Sequence, residues 1–247
     1  MKDDSTKIRT TKTKWPKVLP ELTSEQLKIK DDWMKYWHEA LPSKYGVVER
    51  FNHGFPLRVL KDSVGDGSLN TLEIGAGLGE HIAYENLNNQ HYSVLELREN
   101  MADVLKEKFS SVNVYIGDIQ EKTSFEDKHF DRIIAVHVLE HLPDLPKALY
   151  EIHRVLKSDG SFTAVIPCEG SLAYSLARKI SGERLFKKKF NMEYDWLIKT
   201  EHINKPHEIL EEVEKFFSIV NKSYFPLIVP FIFCNLCIGI NMIKNEV

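Results

Sequence analysis

The chain has 247 residues, of which 43% are hydrophobic and 28% charged, with a formal net charge of −3. This is the composition of a folded protein with one large domain and additions, and it excludes a low-complexity or disordered chain. The slightly negative balance supplies no global field for nucleic acid, so no nucleic-acid partner is expected.

In chain order, residues 1–20 are rich in Lys and Thr and lack the apolar stretch of a signal peptide, so they read as a flexible arm on a cytoplasmic protein. Residues 21–61 read as a helical cap, with "SEQLKIKDDWMKYWHEAL" as its clearest helix. Ser24 is its candidate N-cap, although no acidic residue three positions on completes a capping box. Residues 62–247 form the core. There "TLEI", "YSVLEL", "VNVYIG", "FDRIIAVHV" and "GSFTAVIP" read as strands, and "HIAYENLN", "RENMADVLKEKF" and "DLPKALYEIHRVLK" as helices. Such alternation predicts an α/β fold: a parallel sheet with helices on both faces and ligands at the carboxyl ends of the strands. An insertion follows at residues 168–207, then "HEILEEVEKFF". Residues 224–240, "YFPLIVPFIFCNLCIGI", read as two buried strands joined by a loop, an antiparallel pair that extends the sheet. Pro226, Pro230 and Asn235 interrupt that stretch, so no membrane-spanning helix is expected. Cys168, Cys234 and Cys237 are odd in number, which argues against a disulfide framework, and the C-x-x-C pair reads as core cysteines.

The densest signal is Gly75-Ala76-Gly77-Leu78-Gly79, where a strand turns into an expected helix. Glycines there permit positive φ and let a ligand approach the backbone, although such turns also serve tight packing. Glu96 closes the second strand, placed to accept from a ribose diol. Asp118, after the third, can accept from an exocyclic amine. Together with the glycine turn they describe a nucleoside-shaped slot. A dinucleotide would favour G-x-G-x-x-G, with its pyrophosphate at a helix N-terminus. Here the pattern is G-x-G-x-G between Glu73 and Glu80. Acids on both sides suit a ligand carrying ammonium and sulfonium charges, which favours S-adenosylmethionine.

"LEIGAGLGEH", "LEL", "GDI" and "FDRIIAVHVLEHLPDLPKALYEIHRVLKSDGSFTAVIP" resemble the successive motifs of class I S-adenosylmethionine-dependent methyltransferases over about residues 45–170. The resemblance implies a Rossmann-like, seven-stranded, mostly parallel sheet with its last strand antiparallel. It implies that Gly75, Gly77 and Gly79, with Glu73 and Ala76, line the methionine portion of the cofactor. Glu96 with Leu97 would hold the ribose, Asp118 with Ile119 the adenine, and His137 would close the pocket floor. The flanks, "KYGVVERFNHGFP" and the insertion, are similar to a bacterial subgroup associated with surface-polysaccharide biosynthesis.

Methyl transfer from a sulfonium is an in-line displacement in which the protein mainly aligns and desolvates. An amine acceptor need only arrive neutral, whereas a hydroxyl acceptor gains from a base with pKa near neutrality, so O- and N-methyl transfer both stand. His141, at the end of the fourth strand, and His53, in the cap, are the candidate bases. His129, His153 and His207 read as surface residues. Asn52, Tyr174, Arg178, Tyr194, Glu201 and His202 are the candidate acceptor contacts. Arg178, Lys179, Arg184, Lys187, Lys188 and Lys189 either bind an acceptor phosphate or form a solvated helix face. Tyr174, Phe186, Tyr194 and Trp196 either wall off the site, by cation–π contact with an amine, or simply pack.

The expectation is thus a small-molecule methyltransferase acting on a nucleotide sugar, a sugar or an amino-alcohol phosphate. A homodimer is left open, and neither a metal nor a membrane partner is expected. Two alternatives stand beside it: a non-catalytic S-adenosylmethionine-binding module and a nicotinamide-dependent oxidoreductase.

Overall fold

The computed structural model describes residues 14–44, 46–60 and 68–245, apart from the side chains of 37–44. The first thirteen residues of the expected arm and the expected boundary at residue 61 lie outside that set. Seven strands form one sheet: β1 (Leu69–Ile74), β2 (Gln90–Glu96), β3 (Asn113–Ile116), β4 (Phe130–Val136), β5 (Leu156–Pro167), β6 (Phe217–Phe225) and β7 (Cys237–Lys244). Their order is β3-β2-β1-β4-β5-β7-β6. The pairings from β3 across to β5 are parallel, and β7 runs antiparallel to both β5 and β6. The order reverses between β1 and β4, which opens a crevice at their carboxyl ends.

Both faces of the sheet are covered because the strands are apolar on both. Along β4, Ile133 faces the cluster formed with α4 (Leu145–Val155) and α8 (Pro206–Val213), while its neighbour Ile134 faces Tyr92, Val94 and Leu105. In α4, Leu145, Ala148, Leu149, Ile152 and Val155 recur at helical spacing and are fully buried. Each large apolar side chain so buried contributes about 1.5–3 kcal/mol.

Two helices precede the sheet, α1 (Ser24–Lys44) and α2 (Gly46–Leu60). The cap of α1 is Thr23, one residue before the expected Ser24: Thr23 Oγ1 accepts from Gln26 N–H, and Gln26 Oε1 accepts from Thr23 N–H. This is a capping box with Gln in place of the acid that the sequence lacks. The helix α2 packs on the sheet, with Phe51, Phe55 and Val59 against Val165 and Cys237. Residues 14–17 are tied down, which corrects the expectation of a flexible arm there. Trp15 Nε1 donates to Glu212, and Lys17 pairs with Glu208 at 2.6 Å.

Three further expectations are corrected. After the glycine turn comes no α-helix but two single 3₁₀ turns, at Ile82–Tyr84 and Leu87–Asn89. The apolar "PLIVPFIF" is no buried strand. Its place in the sheet goes to β6, "FSIVNKSYF", an edge strand whose polar residues hide its pattern. Pro226 and Pro230 cannot donate to a ladder. Buried Asn235 instead gathers the segment into a loop, accepting from Leu227 N–H and donating to the carbonyls of Val229 and Phe231. Ile228, Phe231 and Phe233 are exposed there. Of the C-x-x-C pair only Cys237 is buried; Cys234 sits half-exposed in the loop. Among the described residues no helix is long and apolar enough to cross a membrane.

Candidate active site

The crevice between the ends of β1 and β4 has a turn on one side and a polar cluster on the other. On the first side, Gly75, Gly77 and Gly79 all take positive φ, at 66°, 59° and 85°. Two of them are required by the protein itself. A Cβ on Gly75 would lie 2.8 Å from Val138, and one on Gly79 would collide with Phe109 and Leu105. Gly79 is therefore held as glycine by packing as well as by its backbone conformation. Glu80 closes the turn by accepting from Leu78 N–H at 3.0 Å.

Glu96 ties this turn to the neighbouring strand. It is buried, and its Oε2 accepts from Gly77 N–H at 3.1 Å while Oε1 accepts from Arg98 N–H at 3.1 Å. A carboxylate offers about four lone-pair sites. Those left over suit a ribose diol, so Glu96 fits an adenosyl ligand. Leu97, beside it, is 62% exposed at the rim, as a residue that covers a ligand would be. Asp118 accepts from Gln120 N–H and from its side-chain amide, so an adenine amine would share it with Gln120. Ile119 and Ala76 are buried in the flanking cores. No helix N-terminus follows the turn to receive a pyrophosphate, which removes the physical basis of the nicotinamide alternative.

Glu73 lies elsewhere than expected. Its carboxyl accepts from Tyr92 at 2.8 Å, in a buried network below the turn. Burial, with help from nearby Glu85 and Glu80 and against the Tyr92 hydrogen bond, pushes its pKa to about 8. In the same network Glu85 meets His81 and Arg132, which hold it down to about 2 against the burial that would raise it. Arg132 also donates to the Pro56 carbonyl, pinning α2 to β4. His53 and Asn52 belong here too, which corrects their expected roles. His53 is bonded to Glu49 at 3.0 Å and stacked on His81, and Asn52 is buried with its amide toward Glu49. Neither touches the polar cluster across the crevice.

That cluster gathers residues from three distant segments. A 3₁₀ turn after β4, Leu139–His141, supplies Glu140 and His141. Glu169 follows β5. The insertion forms α5 (Leu172–Ile180), α6 (Gly182–Phe190) and α7 (Asp195–Glu201), with His202 at the end of α7. Asn204 welds the parts: its N–H donates to the Glu140 carbonyl, and its amide to the carbonyls of Leu139 and Leu142 at 2.8 and 2.7 Å.

His141 Nδ1 lies 2.6 Å from the Glu201 carbonyl, an acceptor only, so Nδ1 carries the proton and Nε2 keeps its lone pair. Burial holds the His141 pKa below the usual histidine value. His202 Nδ1 meets Glu169 Oε2 at 2.9 Å, which likewise leaves Nε2 bare. Glu169 also pairs with Arg178 at 2.5 Å; these two partners hold its carboxyl below the ordinary range against burial. Glu140 is fully buried, and its Oε1 accepts from His137 Nδ1 at 3.1 Å. His137 itself has φ of 55° and donates its backbone N–H to the Val165 carbonyl.

Of the expected acceptor residues, His202, Arg178 and Tyr174 are therefore brought to His141. Tyr174 stands 6.3 Å from His202, centroid to centroid. Glu201 contributes its backbone carbonyl, and its carboxylate pairs with Lys30 of α1 at 2.5 Å. Tyr194 is corrected: with Phe186 it surrounds Trp33 in a buried aromatic core that joins α1 to the insertion. The basic run is mostly a solvated face, with Lys187 paired to Glu183 and Glu193. Glu140 and Glu169 were missed. The rule that flagged Glu96, an acid at the carboxyl end of a strand, applies equally to Glu169.

Residues 72–164 match the family model described as a methyltransferase domain, a span that includes the glycine turn, Glu96 and the Glu140–His141 pair. A demethylmenaquinone methyltransferase of Staphylococcus aureus is 32% identical over 155 residues, covering 57% of this chain and 63% of that protein. A sterol 4-C-methyltransferase of Caenorhabditis elegans is 29% identical over 100 residues, covering 38% of this chain and 30% of that one. The chain thus spans less than two thirds of the length of these relatives. Among solved structures, a TehB-like S-adenosylmethionine-dependent methyltransferase from Corynebacterium glutamicum superposes with a TM-score of 0.60 at 16% identity, covering 89% of this chain and all of that one. One from Thermotoga maritima, described as a possible histamine N-methyltransferase, gives 0.58 at 19% identity, covering 88% and 99%. The fold is that of these solved methyltransferases.

Proposed function

We propose that this chain is an S-adenosylmethionine-dependent methyltransferase acting on a small, hydroxyl-bearing acceptor. The observation that carries the reading is Glu96, a buried carboxylate bonded to the Gly77 amide where the strand order reverses. When bound, the cofactor supplies a methyl group already activated on a sulfonium. The chain's own task is to orient and to manage a proton. Glu96 holds the ribose, the Gly75–Gly77 backbone lines the methionine portion, and His137 forms the floor. The bare Nε2 atoms of His141 and His202 face the acceptor, and the handling of its hydroxyl proton falls to them.

A phosphate on the acceptor would have to compete with Glu169 for Arg178. The nucleotide-sugar and amino-alcohol-phosphate readings rest on the basic run of the insertion, and the role in surface-polysaccharide synthesis on the resemblance of the flanks. The acceptors named for the relatives, a demethylmenaquinone and a sterol, differ too widely to fix this one.

The test is titration calorimetry with S-adenosylmethionine, followed by mass spectrometry of products from paired acceptors with and without phosphate. One-to-one binding and a methylated, phosphate-free hydroxyl product are expected. Binding without turnover on any acceptor would leave a non-catalytic binding module.

A further inference from the structure

We infer that Glu140, His141 and His202 form a binding site for a divalent transition-metal ion, such as zinc, manganese or iron(II), on the acceptor side of the crevice. The donor atoms of these three residues lie within 4.8 Å of one another. His141 Nε2 stands 3.9 Å from Glu140 Oε1. The edge of a tetrahedral site with bonds of about 2.0–2.1 Å is roughly 3.4 Å, so an ion would draw the donors together by about an ångström.

The hydrogen bonds around the three donors are those of a metal site. A ligating histidine gives its other ring N–H to a carbonyl or a carboxylate, which fixes the tautomer and turns a lone pair to the ion. His141 gives Nδ1–H to the Glu201 carbonyl, and His202 gives its own to Glu169. Both outer partners are held in turn, Glu169 by Arg178 and the Glu201 residue by Lys30. Two lone pairs and a carboxylate then converge on one point. Glu140 sharpens the point: it is fully buried, and its Oε2 has no hydrogen-bond partner. An unpaired buried anionic oxygen is costly, and an ion beside it removes the cost.

Two histidines and one carboxylate leave positions open for oxygen ligands. An acceptor hydroxyl on such an ion loses its proton to solvent more readily than a free one, so His141 would serve as a ligand rather than as a direct base. This deepens the proposed function, on which it rests only for the acceptor's location. It departs from the expectation of no metal, which looked for Asp and Asn on successive loops and not for a histidine sixty residues away.

The test is titration of the metal-stripped full chain with cobalt(II), read by visible absorption, with S-adenosylmethionine affinity measured in parallel by calorimetry. One equivalent of cobalt should develop a ligand-field band that zinc displaces. His202→Ala and the isosteric Glu140→Gln should abolish the band while the cofactor affinity stays unchanged. Glu169→Gln, which releases only the outer partner, should weaken cobalt binding by roughly 10–100-fold. No band in the unaltered chain, or a band that persists in both ligand variants, would overturn the site. Because cobalt uptake and cofactor binding are read separately, failure of the metal site with normal cofactor binding leaves the methyltransferase reading intact.

Discussion

The two sides of the crevice are built by different means. The cofactor side is backbone: a glycine turn in left-handed conformation, strapped by one carboxylate and contributed by neighbouring strand ends within residues 75–118. The acceptor side is side chain. Glu140, His141, Glu169, Arg178 and His202 come from three segments and are held by ionic and hydrogen-bonded contacts, with Asn204 as the weld.

That contrast predicts where variants act. The largest effect should come from Glu96→Ala, which removes two hydrogen bonds to an ionised acceptor, each worth ~1.5–3 kcal/mol, and unstraps Gly77. Calorimetry should find S-adenosylmethionine affinity reduced by at least about 100-fold; an unchanged dissociation constant would detach Glu96 from the cofactor. His141→Ala should do the reverse, lowering kcat by roughly 10²–10⁴ with cofactor affinity intact, as loss of a proton-handling group does. If both quantities fall together, the two sides are not separate.

Asn204→Ala should act on stability. It strips buried carbonyls of Leu139 and Leu142 of their donor, and each group left unsatisfied costs ~1–3 kcal/mol. A lower denaturation midpoint is expected, with a larger loss in kcat than in cofactor affinity. A smaller, pH-dependent effect belongs to Glu73. Folded, it keeps its proton up to about pH 8, whereas the unfolded chain releases it near 4.5. Between those values the folded state holds the extra proton, so stability is greatest at the acid end and is lost as pH rises toward 8. Glu73→Gln should flatten that decline in Tm between pH 5 and 8.5; a parallel decline in the variant would place the titration elsewhere.

The same contrast explains what was legible in the sequence. The cofactor side is nearly contiguous, so Gly77, Glu96 and Asp118 could be read from order and spacing. Gly75 and Gly79 could not be divided between ligand and packing, because Val138 and Phe109 reach them only after folding. His141 was visible through its place at a strand end. Of its partners, His202 was flagged within the insertion, whereas Glu140 was not, because it looks like one polar residue in "VLEHL". His53 misled because it was read as part of a cap, whereas it lies within α2 bonded to Glu49 with its ring on His81. The edge strand β6 was passed over because Asn221, Lys222 and Ser223 break its alternation, while the more apolar "PLIVPFIF" lacked the amides a strand needs.

The central claim is that the turn at Gly77 and the carboxylate of Glu96 form one adenosyl-binding unit. A crystal soaked with S-adenosylmethionine tests it most directly. The ribose hydroxyls should lie on Glu96 and the methyl group should be directed toward His141. Electron density showing that crevice empty after soaking, or taking up NAD in its place, would contradict the account.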